Sequence, residues 1–391
     1  MTKLEDAIKM ILEAGKELKT EKIPLSIALN RVLAEDVFTD IDVPSFAKSA
    51  VDGFAIRSES LRSDWEVLEF LPAGKKPLKR IGNNQCSRVM TGGMIPQGAD
   101  MVVMLEHTEE IENGKVRFTK NKTKTNILYQ AEDLKKGDKI LAKGTLLKPA
   151  HIAILAGAGI SHPLVFVPLK AGIVATGTEL VETLEVPVPP FIRNTNSHHI
   201  EALCKSIGMQ ATNDGILKDD PAVITHKIRS LLKLHDMVIF TGGASFGDHD
   251  YSKLVMENLG AEIKFNKLAI QPGKPVLFAT VDGKYLLGLS GNPVSSSVQF
   301  LLLVKPLVEH LSFQKMNNDM RSLPMEMAYK RNKAERAFFF PVRITKQAKI
   351  RPIEYHGSAH LNAYEKADAL ACFPIGKKEL KEGEIVDVRP L

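Results

Sequence analysis

The apolar positions change period repeatedly along the chain, and each change predicts a different kind of element. Leu4, Ile8, Ile11, Leu12 and Leu18 recur at helical spacing, which predicts an amphipathic helix over residues 3–19. Pro24, suited to a first helical position, predicts a second helical stretch with Leu25, Leu29, Val32 and Leu33 on one side. From about 42 to 145 the texture turns to short apolar runs separated by Gly, Pro and Asn. Val51 to Ile56, Ala99 to Met104 and Lys139 to Leu141 are examples, and they predict a strand-rich insertion. Pro149 to Ile160 is small, Ala-rich and helical again.

Residues 170–310 alternate differently. Ile173 to Ala175, Met237 to Phe240, Val276 to Ala279 and Tyr285 to Leu289 read as strands. Asn196 to Ile207, Asp220 to His235, Asp248 to Leu259 and Val298 to Leu311 read as helices. Asp220 followed by Pro221 is a strong helix start, with an acceptor at the N-cap and proline at the first helical position. Strand, loop and helix in repetition predict a doubly wound, parallel α/β sheet. Beyond Lys315 the chain becomes strand-like and basic, through Ala337 to Phe340 and Val342 to Ile344. It ends in Gly-turn patterns that predict a small C-terminal β-barrel.

At 391 residues the chain is long enough for several domains. Its cysteines, Cys86, Cys204 and Cys372, are scattered and odd in number, which supports neither a disulfide framework nor a zinc site. The opening MTKLEDAIKM lacks the apolar core of a signal peptide. The greasiest run, Phe300 to Val304, is stopped by Lys305 and Pro306, far short of a bilayer span. The expectation is a cytoplasmic protein with no membrane segment.

The chemistry concentrates in three loops of the α/β region, Ala175 to Glu179 (ATGTE), Thr241 to Asp250 (TGGASFGDHD) and Ser290 to Ser297 (SGNPVSSS). In open α/β sheets ligands bind beyond the carboxyl ends of the strands, so these loops should gather there. Glycines let backbone N–H groups approach an anion, and the helix behind each loop adds a favourable dipole. The hydroxyls of Thr178, Ser245 and Ser295 can donate to phosphate oxygens. Neither a dinucleotide fingerprint nor a P-loop is present. The same loops carry acids, Glu179, Asp248 and Asp250, with Asp219 and Asp220 beside them. Carboxylates of this kind hold Mg²⁺ in phosphoryl chemistry; capping alone accounts for Asp220 and leaves Asp219 for a ligand. Lys267 and Lys274 flank a Gly-Pro turn and form a candidate oxyanion clamp. In the strand-rich insertion, Asp52 sits in a turn, Thr91 heads a Gly-rich loop, Asp100 closes it and Glu106 ends a strand. Taken alone, Asp52 and Asp100 read as turn formers.

In order and spacing, the stretches SAVDGFA, RVMTGGMIPQGAD, VVMLEHTE, TGTEL, DDP, GGASFGDHDY, KLAIQPGKP and SGNPVS closely resemble the molybdopterin molybdenumtransferases. The E domain of gephyrin represents the same family. The resemblance extends over nearly the whole chain. It implies a multidomain α/β architecture in four parts. Residues 1–42 with 146–168 would form an extended helical part, and 43–145 a β-rich lobe. Residues 169–312 would be a molybdopterin-binding-like α/β domain, and 313–391 a terminal β-barrel. It further implies a homodimer whose cleft lies between the α/β domain of one subunit and the lobe of the other. The implied reaction takes adenylylated molybdopterin and molybdate with Mg²⁺, cleaves the pyrophosphate linkage, inserts molybdenum at the dithiolene and releases AMP. Its implied partners are the molybdopterin adenylyltransferase and molybdoenzyme apoproteins.

Carried over by position, Asp52, Thr91 and Asp133 match the lobe's functional motifs. Glu179, Asp219 and Asp250 match the acids of the α/β domain and would hold Mg²⁺. Lys267 and Lys274 match its basic clamp, and the SGNPVS loop, with Asn292, Pro293 and Ser295, would hold molybdate. The chain departs from the family pattern at several positions. Gln271 stands where Lys is usual, Ser290 begins what is usually PGNP, Leu128 replaces an Arg, Ala131 replaces a Gly, and Asn362-Ala363 replace paired serines. These departures motivate an alternative, a weakly active or non-catalytic paralogue serving as a pterin-binding carrier or scaffold. An adenylyltransferase or pyrophosphatase acting on another nucleotide is a third reading, against which the lobe and barrel argue.

Charge refines this picture. Lys and Arg outnumber Asp and Glu by 52 to 46, yet residues 151–310 hold 13 basic and 14 acidic side chains. Anion affinity in the α/β region must therefore come from aimed N–H groups, two lysines and Mg²⁺ rather than a general positive field. The basic surplus lies in the lobe and the terminal region, as an electropositive wall that a dimer would bring to the cleft. No nucleic-acid recognition motif accompanies it.

Overall fold

The computed structural model describes residues 1–242, 251–314, 320–354, 357 and 360–391. The chain opens with helix α1 (Leu4–Glu13), whose apolar stripe buries Ala7 and Ile11. The second predicted helix is not formed. Only a single 3-10 turn, Leu25–Ile27, follows Pro24, and Val32 and Leu33 instead make bridges to Leu146 and Val165. Their apolar side chains are satisfied by distant strands, so the local helical spacing is overridden. Thr20–Lys22 likewise pairs with Leu164–Phe166, which closes the first part of the chain onto the segment that follows the insertion.

The insertion is strand-rich, as expected. Strands β1 (Gly53–Ile56), β2 (Asp64–Leu71), β3 (Gln85–Val89), β4 (Met101–Met104), β5 (Thr108–Ile111) and β6 (Lys115–Phe118) form one sheet in the order β4-β1-β3-β2-β6-β5. Its core is built around the fully buried Trp65, whose indole N–H donates to the Ser60 carbonyl at 2.7 Å. Helix α2 (Pro149–Gly157) returns the chain to the first part.

The α/β region comprises β7 (Lys170–Thr176), α3 (Asn196–Ser206), β8 (Gln210–Leu217), α4 (Pro221–Leu234), β9 (Met237–Thr241), α5 (Tyr251–Leu259), β10 (Glu262–Lys267), β11 (Ile270–Gln271), β12 (Pro275–Val281), β13 (Lys284–Leu289), α6 (Pro293–Gln299) and α7 (Lys305–Leu311). Asp220 caps α4 as predicted, its Oδ1 accepting from the Ala222 and Val223 amides at 2.8 and 3.1 Å. Helix α4 then buries Ile224, Ile228, Leu231 and Leu232 against the sheet. Each such side chain stabilises by about 1.5–3 kcal/mol. The last helical stretch starts five residues earlier than expected, at Pro293. It contains a π-helical turn, Phe300–Val304. Pro306 has no N–H to offer the Leu302 carbonyl, so the regular ladder is interrupted there.

The sheet order is β8-β7-β9-β13-β12-β10. β8, β7, β9 and β13 are parallel, but β12 runs antiparallel to both β13 and β10. The expectation of an all-parallel sheet is thus corrected at one edge. The reason is a two-residue turn, Asp282-Gly283, both with positive φ (49° and 69°), which folds β12 directly back onto β13. One face of the sheet packs on α4 and α5. The other shares a continuous core with α1, α3, α6 and α7 and with Phe339 and Leu370 of the C-terminal part.

In that part, β14 (Arg321–Pro324), β15 (Ala337–Ile344), β16 (Ile350–Pro352), β17 (Ala369–Phe373) and β18 (Ile385–Pro390) form the ladder β15-β17-β18-β14, with β16 on the other side of β15. A bridge between Met325 and Ile350 joins the end of β14 to β16, which closes the ring as the expected small barrel. Phe340, Phe373, Val342 and Val388 fill it. The short strand β11 of the α/β region pairs in parallel with β15, Ile270 opposite Ala337 and Gln271 opposite Phe338.

Candidate functional site

Register brings together the points where the predicted loops begin. Ala175 of β7 lies opposite Thr241 of β9, which lies opposite Leu289 of β13; of the second loop, Thr241 and Gly242 are the described residues. Contact between these starting points is close. A Cβ on Gly242 (φ +84°) would lie 2.1 Å from the Thr176 carbonyl oxygen, and one on Gly291 would touch the Gly242 Cα at 3.5 Å. Only glycine fits at 242. β12 runs antiparallel to β13, so its start, Pro275, and the end of its partner β10, Lys267, lie at this same edge. The exposed Lys267 and Lys274 therefore flank the loops.

The TGTEL loop is tied to the start of α4. The Thr178 amide and hydroxyl both donate to Asp219 Oδ2 at 3.1 Å. The two adjacent aspartates thus divide their work, Asp220 on the helix and Asp219 on the loop. Glu179 is exposed in the same loop, its carboxylate folded over Gly177. In the SGNPVS loop, Asn292 is exposed, Pro293 begins α6, and Ser295 is buried beneath the loop rather than lining its open side. Asp250 and Ser245 lie outside the described residues, and so does Asp248.

The lobe repeats the threonine–aspartate clamp. Asp52 Oδ1 accepts from both the Thr91 amide and the Thr91 hydroxyl at 2.7 Å. These bonds, the hydroxyl's first, hold the Asp52 carboxyl below the usual carboxylate range. The turn is possible because residue 53 is glycine: a Cβ there would sit 1.9 Å from the Val103 carbonyl oxygen of β4. Asp133 is exposed in a separate turn, its amide bonded to the Val43 carbonyl.

Three side chains at the sheet edge escaped the sequence reading. Asn196, the first residue of α3, donates to the Gly291 carbonyl at 2.7 Å. Its Oδ1, and the hydroxyl of Thr176 at the end of β7, are buried with no hydrogen-bond partner among the described residues. Buried polar atoms are normally paired, so these two oxygens are candidates to receive a ligand's donors or a cation. The third is Gln299, fully buried, which bonds to both the SGNPVS loop and the QPGKP hairpin. The position of Asn196 at a helix start was the available signal for that residue; Gln299 carried none.

Comparison with known proteins decides the family. Models described as the MoeA N-terminal region (domain I and II), a probable molybdopterin binding domain and the MoeA C-terminal region (domain IV) match residues 2–159, 172–310 and 325–391 in turn. The molybdopterin molybdenumtransferase of Staphylococcus epidermidis is 37% identical over 395 residues, covering 98% of this chain and 94% of that one. Its Staphylococcus aureus counterpart is 34% identical over 398 residues, with the same coverage. The chain belongs to the molybdopterin molybdenumtransferase family. A crystal structure of the molybdopterin biosynthesis MoeA protein from Pyrococcus horikoshii OT3, 29% identical, superposes with a TM-score of 0.86 over all of both chains. This places the chain among enzymes of molybdenum cofactor biosynthesis.

Within the family frame, the departures have structural correlates. Ala131 adopts φ +57°, the left-handed conformation that a glycine would take without strain. Ala363 is buried within the 3-10 segment Leu361–Lys366. Gln271 is exposed on β11. Among the described residues no group of three His, Cys, Asp or Glu side chains forms a metal cluster, and no helix is long and apolar enough to cross a membrane.

Proposed function

We propose that the protein inserts molybdenum into adenylylated molybdopterin, using molybdate and Mg²⁺ and releasing AMP. The observation that carries this reading is the convergence at one sheet edge of the starts of the Gly-rich loops, the Thr178–Asp219 clamp, Lys267, Lys274 and two buried oxygens that have no partner among the described residues. Such an edge suits a phosphorylated, polyanionic ligand. The donors fit a hard cation, because Glu179, Asp219, Thr176 and Asn196 all offer oxygen. Glu179 and Asp219, with Asp250, are the residues we assign to Mg²⁺, which when bound neutralises phosphate charge.

In this reading Asp219 both orders the TGTEL loop and presents its remaining oxygen to the site. The backbone amides of the SGNPVS loop, with Asn292, and the clamp lysines Lys267 and Lys274 receive molybdate, and the lysines also offset the charge that develops on the departing phosphate. Thr178 donates to a phosphate oxygen when it leaves Asp219, and the Ser245 hydroxyl is assigned the same function; Ser295, buried, supports the SGNPVS loop instead. Asp52, Thr91 and Asp133 complete the cleft from the lobe of a second protomer. We adopt the four-part division of the subunit and a cytoplasmic homodimer as the working frame. Its partners would be the molybdopterin adenylyltransferase upstream and molybdoenzyme apoproteins downstream.

The test is AMP release from adenylylated molybdopterin with Mg²⁺, titrated with molybdate. Asp219→Asn keeps an acceptor for Thr178 and removes the charge; Asp219→Ala removes both. Both variants should lose turnover, and only the second should loosen the loop. Absence of molybdate-dependent AMP release from folded wild-type protein would refute the proposal. The carrier reading is favoured by the uncharged Gln271. If Gln271→Lys tightens molybdate binding without raising turnover, that reading replaces the first.

A further inference from the structure

Gln299 ends helix α6 with its side chain fully buried. Its carbonyl oxygen accepts the Ser290 N–H at 2.8 Å, and its amide nitrogen donates to the Gly273 and Pro275 carbonyls at 2.9 and 2.6 Å. Both N–H bonds of the amide are thus used, and its orientation is fixed. Turned over, the amide would set its nitrogen against the Ser290 N–H and its oxygen against two carbonyls.

The three partners are chosen in a telling way. Gly273 and Pro275 stand on either side of Lys274, so the amide grips the backbone around the clamp lysine. Ser290 opens the SGNPVS loop. Gly273, at φ +101°, leaves the room this requires, since a Cβ there would lie 3.0 Å from Gln299 Cγ. The family pattern has proline at position 290, and proline has no N–H to give. Ser290 and Gln299 are therefore two halves of one interaction, and the departure at 290 becomes intelligible as part of it.

We propose that Gln299 is a positioning residue that sets the affinity for the tetrahedral oxyanion, molybdate, by fixing the distance between Lys274 and the SGNPVS loop. The inference rests on the proposed transferase reading and adds a determinant that acts through other residues. A preorganised site holds its ligand without first ordering the two loops. Removing the tie leaves Lys274 and the loop in place but lets them separate.

The test compares wild type with Gln299→Glu and Gln299→Leu in the full chain, by AMP release against molybdate concentration. In Gln299→Glu at pH 8 the carboxylate faces two carbonyls with no proton to donate. The half-saturating molybdate concentration should rise by about tenfold or more, with kcat at saturation within about twofold of wild type. As pH falls, the protonated acid regains one donor, and half-saturation should return toward wild type. Gln299→Leu should show the rise without that recovery. Where the glutamate variant does not fold, Gln299→Met, unbranched and of similar length, takes its place. A purely structural role would lower Tm and the active fraction while leaving half-saturation unchanged, and that result overturns the proposal. If wild type itself releases no AMP, the transferase reading fails first. Amide hydrogen exchange then decides the tie separately: Ser290 N–H must lose protection in Gln299→Leu, and unchanged protection overturns it.

Discussion

Gly242→Ala isolates the geometry on which the site depends. The residue follows β9 with φ +84°, a conformation that costs an alanine about 1–2 kcal/mol. The new Cβ would also lie 2.1 Å from the Thr176 carbonyl oxygen. Carbon and oxygen need more than about 3 Å, so the loop must move by about 1 Å. The strands cannot share that shift, because Ala175 and Thr241 are held in register. It falls on Gly242 itself, whose Cα faces Gly291. Gly260→Ala is the control, since Gly260 has φ +68° but nothing within 4 Å of its would-be Cβ. Calorimetry should show Tm lower by roughly 1–3 °C in Gly260→Ala, and by roughly 4–6 °C in Gly242→Ala if the clash adds about 2–3 kcal/mol. Molybdate-dependent AMP release should be near wild type in the control and down about a hundredfold in Gly242→Ala, the usual consequence of a 1 Å misplacement. Matching Tm and turnover in the two variants would refute the reasoning.

Thr91→Val removes the hydroxyl that does most to depress the Asp52 carboxyl, so carboxyl NMR titration should place its pKa higher than in wild type. Because the folded-state pKa is lowered, the clamp's stabilisation is present above the unfolded pKa and lost as pH falls through the folded one; the variant should lose the low-pH part of that acid-side dependence. The single Trp65 is fully buried and hydrogen-bonded, so native fluorescence should be blue-shifted and resist acrylamide, and its red shift should report lobe unfolding alone. Burial pushes the Cys86 and Cys204 thiols up to about 12, so iodoacetamide at pH 8 should label neither in the native protein and both in denaturant, as peptide mass spectrometry would show.

Features set by near neighbours were legible in the sequence. The stripe of α1, the Asp220–Pro221 helix start and the three loops after β7, β9 and β13 each follow from a few adjacent residues. The antiparallel edge was also legible, in the Asp282-Gly283 turn, but the strand–loop–helix rhythm around it pointed to parallel pairing. The stretch after Pro24 was not legible, because Val32 and Leu33 take partners more than a hundred residues away. Gln299 was hidden for the same reason. Within α6 it is one more polar residue, and its meaning appears only when the hairpin at Gly273 and the loop at Ser290 close around it.

The short strand β11 gives the chain an order of assembly. Ile270 and Gln271 pair with Ala337 and Phe338, and just ahead of them Leu268 bridges back to Thr2. On a ribosome adding roughly 5–20 residues per second, the first residue of this junction waits for nearly the whole α/β region to be made. The last arrives about 1–5 s after that region is otherwise complete. The segment that carries Lys267 and Lys274 therefore lies between two long-range pairings, one to the start of the chain and one to the barrel. A chain ending before Ala337 would lack the second of them, together with the part of the shared core that Phe339 and Leu370 supply.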